Sequence, residues 1–296
     1  MKTLPGVNNI LITKMKSFKR NPVTTQWLAD TYFSIIAVLV LFILLFILGF
    51  ILVKGLPVLN YKFIFGLPRE MGEAGGIFPT IVGTFLLPLV ALLFAVPLGV
   101  GTAIYLTEYT RENQLTTIIR FGAECLAGIP SITFGLFGFV LFVVTLKMGW
   151  SLLSGGLTLA VMVLPTIIRT SEESIKAVPR HYREVAFSLG ATKWQGITRV
   201  VLPSALSGIF TGIMLALGRS IGETAAVIFT AGSSLKMPVS ALDSVRTMAV
   251  HFYILAREGI SLKNAYGTAA LLVIIILVIN AIAYYAMHKF LKKTHG

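Results

Sequence analysis

Residues 74–107 read AGGIFPTIVGTFLLPLVALLFAVPLGVGTAIYLT, 34 residues without an aspartate, glutamate, lysine or arginine. A helix needs about 20 apolar residues to cross roughly 30 Å of hydrocarbon, and a soluble helix of this composition would have no face to give to water. Outward from this run, five more windows share its character: 31–53, 125–146, 148–168, 200–218 with a resumption to 235 beyond Arg219 and Glu223, and 264–288. They predict an all-α, polytopic membrane fold of six spans. Composition agrees, with 56% hydrophobic and 12% charged residues against about 25% charged in a soluble domain.

The long window holds three prolines. Pro79, after Gly75-Gly76-Ile77-Phe78, suits the first turn of a helix, where its missing donor costs nothing. Pro88 and Pro97 each remove an interior donor and predict kinks, which neighbouring helices must satisfy in lipid. The first span is not read as a signal peptide, because about thirty hydrophilic residues precede it and Lys54-Gly55-Leu56-Pro57 is a poor cleavage site.

Six spans put both termini on one side. If that side is the cytoplasm, segments 1–30, 107–124, 169–203 and 289–296 hold 16 of the 25 lysines and arginines, and segments 54–76, 147 and 236–263 hold 8. The positive-inside rule favours this orientation. The domain reading is therefore a cytoplasmic tail over 1–30, a first helix over 31–53, a five-helix body over 75–288 with a loop over 170–203, and a cytoplasmic tail over 289–296. The net charge of +13 is dispersed between apolar runs, unlike the continuous basic face that nucleic acid requires. Cys125 is the only cysteine, so no intrachain disulfide forms, and the four histidines show no metal-ligand spacing.

The loop between the fourth and fifth windows carries the strongest local signals. Thr170-Ser171-Glu172-Glu173 fits a capping box that would start a short helix. Pro179 opens a second helix over 180–189, and Gly190 closes it in the left-handed conformation. Thr192-Lys193-Trp194-Gln195 is another capping box. Val185, Ala186 and Leu189 share an apolar face. A helix this short is marginal alone and must pack on its own bundle, on lipid or on a soluble partner.

The same loop resembles that of import permeases of ATP-binding-cassette systems. Their pattern is Glu-Ala-Ala, three residues, Gly, nine residues, Ile, one residue, Leu-Pro. Here Glu184-Val185-Ala186, Gly190, Val200 and Leu202-Pro203 stand at that spacing, with Val185 and Val200 as conservative departures. The resemblance implies a type I importer permease fold whose coupling helices dock a separate ATPase through Glu184, Ala186, Gly190, Ala191, Leu202 and Pro203. The chain lacks a Gly-x-x-x-x-Gly-Lys-Ser/Thr run, so no cofactor is expected on it, and ATP and magnesium belong to the partner ATPase. The chain itself is then a transport subunit and not an enzyme.

The Gly75–Thr84 run, Gly128-Ile129-Pro130-Ser131-Ile132, Leu164–Arg169 and Ala216-Leu217-Gly218-Arg219-Ser220-Ile221-Gly222-Glu223-Thr224-Ala225 resemble the PstA-type phosphate permeases, and less distinctively their PstC-type sisters. That implies a heterodimer with a homologous permease chain, two PstB-like ATPase subunits, a PstS-like extracytoplasmic phosphate-binding protein, and location in the bacterial inner membrane. Read from spacing alone, Arg219 and Glu223 lie four apart on one helical face inside the membrane. Charges there cost several kcal/mol unless paired or bordering a wet route. Arg219 is read as offering its donor fork to phosphate, with Glu223 orienting it or accepting a proton. The other reading is a fixed ion pair stapling two helices. Arg169 either receives the departing anion or anchors its helix at the interface. A sulfate or molybdate permease and an ion-coupled secondary transporter are the rival functions; the second would not account for the loop motif.

Overall fold

The structure is a computed structural model. It describes the backbone of residues 22–294 and the side chains of 26–285 and 287. Two units are distinguished, residues 1–52 and 53–296.

In the first unit a single helix dominates. α1 spans Pro22–Gly55, starting nine residues before the charge-free window at 31–53. Asp30 ended that window, but one acidic residue near a helix end does not stop a helix. Of the tail expected over 1–30, residues 1–21 lie outside the described residues, and 22–30 belong to α1. Its apolar side chains from Trp27 to Val53 are largely exposed, the pattern of a helix solvated by lipid.

In the second unit the end of α1 and a 3-10 turn, Leu56–Val58, precede a short helix, α2 (Tyr61–Phe65), capped by Asn60. A two-residue antiparallel pair follows, β1 (Pro68–Arg69) with β2 (Ala74–Gly75). α3 (Phe78–Ile104) carries Pro79 in its first turn as expected and runs on through Pro88 and Pro97 into a π turn, Tyr105–Tyr109. α4 (Gln114–Ala127) and α5 (Ser131–Gly138) follow, the latter extended by a π turn to Thr145. α6 is Leu152–Lys176, α7 Arg180–Ser188, α8 Lys193–Gly196 and α9 Leu202–Ile221. α10 is Ala225–Thr230, α11 Met248–Arg257 and α12 Leu262–Thr294.

Among the described residues, five helices are long and apolar enough to cross a membrane, and a sixth span exists if the bent pair Gln114–Ala127 and Ser131–Thr145 is counted as one. The third window therefore does not fold as one straight helix over 125–146. The chain turns by 104° at Gly128–Pro130, because the residue before a proline avoids the helical region. The helix expected over 148–168 starts at Leu152 and continues to Lys176, absorbing the predicted capping box at Thr170. Thr170 Oγ1 instead donates to the Thr166 carbonyl at 2.8 Å, within the helix. The helix expected over 264–288 and residues 289–294 of the expected tail are one element, α12, which runs to Thr294, and residues 295–296 lie outside the described residues.

Small residues set the helix spacing, as expected where no hydrophobic effect separates helix from lipid. Gly99 of α3 sits on Ile167 of α6, and Gly156 of α6 on Val90 of α3. Gly208 and Gly212, one turn apart on α9, sit on Ser174 and Thr170 of α6. Leu87, Ala91 and Ala95 of α3 meet Leu159, Val163 and Ile167 of α6 and Ala216 of α9 in the main core.

Candidate coupling loop and anion route

At one end of the bundle the loop between α6 and α9 is ordered by its own chemistry. Pro179 sits at the N-cap of α7. Gly190 has φ +80°. Its amide donates to Phe187 O at 3.0 Å, and the Ala191 amide to Ala186 O at 3.1 Å. These two bonds form the Schellman closure that a left-handed glycine permits. Thr192 and Gln195 then cap each other reciprocally, with Gln195 N donating to Thr192 Oγ1 at 3.3 Å and Thr192 N to Gln195 Oε1 at 2.9 Å. α9 is entered through a π turn, Ile197–Val201.

Within α7 only Ala186 is buried, and Val185, Leu189 and Trp194 are 56%, 83% and 60% exposed. The predicted apolar face is thus split: Ala186 packs inward, and the larger side chains project outward. Glu184 and Gly190 are exposed, and Ala191, Leu202 and Pro203 are half-buried. A cavity of about 570 Å³ opens between the α6–α7 corner (Ser174, Val178, Pro179, Tyr182) and the start of α9 (Pro203, Ser204, Gly208).

Arg183 of α7 is the anchor of the loop. Its Nη2 lies 2.6 Å and its Nε 3.0 Å from Glu108 Oε1 on the turn ending α3. Nη1 and Nη2 also donate to Val178 O at 2.8 Å and Ile175 O at 3.0 Å. A second network lies nearby, where the buried Glu172 accepts from Arg120 Nε at 2.8 Å and pairs with Lys176 Nζ at 2.6 Å. Glu108 and Arg183 lie 75 residues apart and Arg120 and Glu172 lie 52 apart, so no local signal in the sequence joins these two pairs, whereas Glu172 and Lys176 stand one helical turn apart. Arg169 pairs with Glu173 at 3.2 Å, both side chains being exposed.

At the far end of α9, Arg219 occupies the last turn and is exposed, while Glu223 is half-buried. The two do not share one helical face. α9 ends at Ile221 and the chain turns at Gly222, so Glu223 falls in the break, where its Oε1 accepts from the Ala226 amide opening α10 at 3.4 Å. No ion pair joins Arg219 to Glu223 among the described residues. Gly218 and Gly222 beside them have nothing within 4 Å of a would-be Cβ, leaving this surface open. A cation in the last turn is favoured by the helix dipole and a carboxylate at the next helix start likewise, so each charge is held without the other. The resumption expected to 235 also stops early, since α10 ends at Thr230.

Segment 236–263, read as a loop outside the membrane, contributes to the core. Arg246, Thr247, Met248, Val250, His251 and Leu255 are buried. Arg246 donates from Nε to Ser233 O at 2.8 Å, and its Nη1 lies 3.4 Å from His251 Nδ1. Burial, and then the neighbouring Arg246 charge, push the His251 imidazole down to about 4.

This arrangement of spans with a braced two-helix loop is the fold of the membrane subunit of an ATP-binding-cassette importer. A bacterial alginate ABC transporter, solved in complex with an alginate pentasaccharide-bound periplasmic protein, contains a chain that superposes with a TM-score of 0.63 at 17% identity, over 88% of this chain and 94% of that one. The chain belongs to the family of binding-protein-dependent transport system inner membrane components, whose model matches residues 95–295. Its curated relatives include the "Probable ABC transporter permease protein YqgI" of Bacillus subtilis, 33% identical over 88% of this chain and 94% of that protein. Another is the phosphate transport system permease protein PstA of Pasteurella multocida, 34% identical over 82% and 87% respectively. The chain is accordingly a multi-pass inner-membrane permease.

Proposed function

We propose that this chain is the PstA-like permease subunit of an ATP-driven inorganic phosphate importer, lining half of a translocation route that it shares with a homologous, PstC-like chain. The observation that carries the motor half of this reading is the outward face of Val185, Leu189 and Trp194 on a loop whose backbone is fixed by the Gly190 closure and the Thr192–Gln195 box. Exposed apolar side chains on so short and so well-braced a helix pair suit a preformed protein groove. ATP and magnesium would be held by that PstB-like ATPase, and Glu184, exposed beside Val185, is free to meet a cation on it. The termini and the α7–α8 loop would then face the cytoplasm, and a PstS-like binding protein would deliver phosphate at the Arg219 end.

Phosphate as cargo is supported by the PstA relative of Pasteurella multocida and by the chemistry at Arg219. Its planar fork matches an oxyanion bidentately, and Glu223, unpaired with it, can accept the proton that phosphate carries and sulfate lacks. Arg169, already held by Glu173, suits interfacial anchoring better than anion release. The test is mild detergent extraction of the intact assembly. An ATPase and a second permease retained with this chain are expected; their absence, with phosphate uptake driven by an ion gradient instead, would overturn the reading.

A further inference from the structure

We infer that Glu108 and Arg183 are a positioning pair that carries movement of α7 and α8 into the end of α3, so that phosphate passage depends on this link as well as on docking. The inference rests on the proposed ATPase docking. Its physical basis is the way one guanidinium joins three elements. From α7, Arg183 reaches the Glu108 carboxylate at the end of α3 with two of its nitrogens, and it also occupies the carbonyls of Ile175 and Val178 at the end of α6. Those carbonyls belong to the last turn of α6 and the residues just after it, where a cation is favoured by the helix dipole. Both charged side chains are largely shielded, 18% exposed for Arg183 and 10% for Glu108. A shielded, charge-assisted fork is far stiffer than a surface pair.

The adjacent residue supplies a second tie. Lys193 Nζ of α8 lies 4.9 Å from the centre of the Tyr109 ring, within cation–π range. Phe187 of α7 in turn packs on Gly196 of α8. The two loop helices thus touch each other, and each grips consecutive residues of the Tyr105–Tyr109 π turn, Glu108 and Tyr109. That turn continues α3, whose glycine contacts with α6 run along the bundle. A displacement of the loop therefore pulls on α3 directly, and cannot be absorbed by the loop alone.

The experiment compares wild-type, Glu108→Gln, Glu108→Asp and Arg183→Lys permeases in the full complex, reconstituted in liposomes with inorganic phosphate outside and inside access to ATP. Phosphate uptake, ATP hydrolysis and retained ATPase are measured on the same preparations. The expected result is that Glu108→Gln keeps the ATPase and hydrolyses ATP, while phosphate moved per ATP falls about tenfold, as loss of a charge-assisted contact would give. Glu108→Asp should recover part of that ratio, and Arg183→Lys, which keeps the charge but not the fork, should recover less. An unchanged ratio in Glu108→Gln would overturn the inference. So would loss of the ATPase from that variant, or hydrolysis and uptake falling in step, because the pair would then be a structural brace only. A wild-type complex without any ATPase would instead refute the docking proposal itself, which the first measurement reveals before any variant is compared.

Discussion

Replacing Gly190 with alanine isolates a single physical quantity. The residue sits at φ +80° with no atom within 4 Å of the position a Cβ would take, so the substitution creates no clash and exposes only the cost of the left-handed backbone. That cost is about 1–2 kcal/mol for an L-residue, equivalent to roughly a 5- to 30-fold shift in the local equilibrium between closed and open turn. The closed turn is defined by two amides, Gly190 N on Phe187 O and Ala191 N on Ala186 O. Hydrogen exchange in the detergent-solubilised complex should show the residue 190 and Ala191 amides of Gly190→Ala exchanging about 5- to 30-fold faster. Gly190→Asn should stay close to wild type, since asparagine tolerates this conformation. Equal behaviour of the alanine and asparagine variants, whether both wild-type or both fast, would refute the reasoning that backbone conformation holds the loop.

Three further outcomes are expected. Gly212→Leu, whose side chain would enter the space of Thr170, should cost about 1–3 kcal/mol by overpacking and lower the thermal midpoint in detergent; Gly218→Leu, with open space around it, should leave the midpoint unchanged while lowering phosphate uptake. Arg219→Lys and Glu223→Gln should assemble normally and transport poorly; normal uptake by both would remove the anion route from this surface. His251 lies in α11, outside the candidate spans, and its native imidazole resists protonation down to about 4. The unfolded chain takes up a proton as pH falls through the ordinary 6.5 and the native chain does not, so stability is lost between those values, by about 3 kcal/mol at most. Denaturation from pH 7 to 4.5 should show a steeper fall for wild type than for His251→Gln, and parallel curves would contradict the buried neutral histidine.

What was legible in the sequence was local. Gly190, the Thr192–Gln195 pair and Pro179 act within a turn, and their backbone consequences are the ones found. Charge-free length located the spans because lipid permits little else, but it did not fix their ends. Thr170–Glu173 has the letters of a helix start, yet α6 runs through it, because Glu172 is held by Arg120 and Lys176 and a helix already under way needs no cap. The break after Ile221 has no proline to mark it, and four-residue spacing puts Arg219 and Glu223 on one face only if the helix continues through Gly222, where it ends. α11 was hidden in a segment read as loop, since ten residues interrupted by a buried histidine fall below any membrane window. The Glu108–Arg183 clamp joins residues 75 positions apart, and only the packing of α3 beside α6 brings them together.

The most direct test of the account is phosphate uptake by liposomes containing the purified complex, with ATP supplied on the α7–α8 side and no ion gradient. Uptake that requires ATP, is unaffected by excess sulfate and collapses in the Arg219→Gln variant is the expected result. Phosphate entry that proceeds without ATP, or that Arg219→Gln leaves intact, would contradict it.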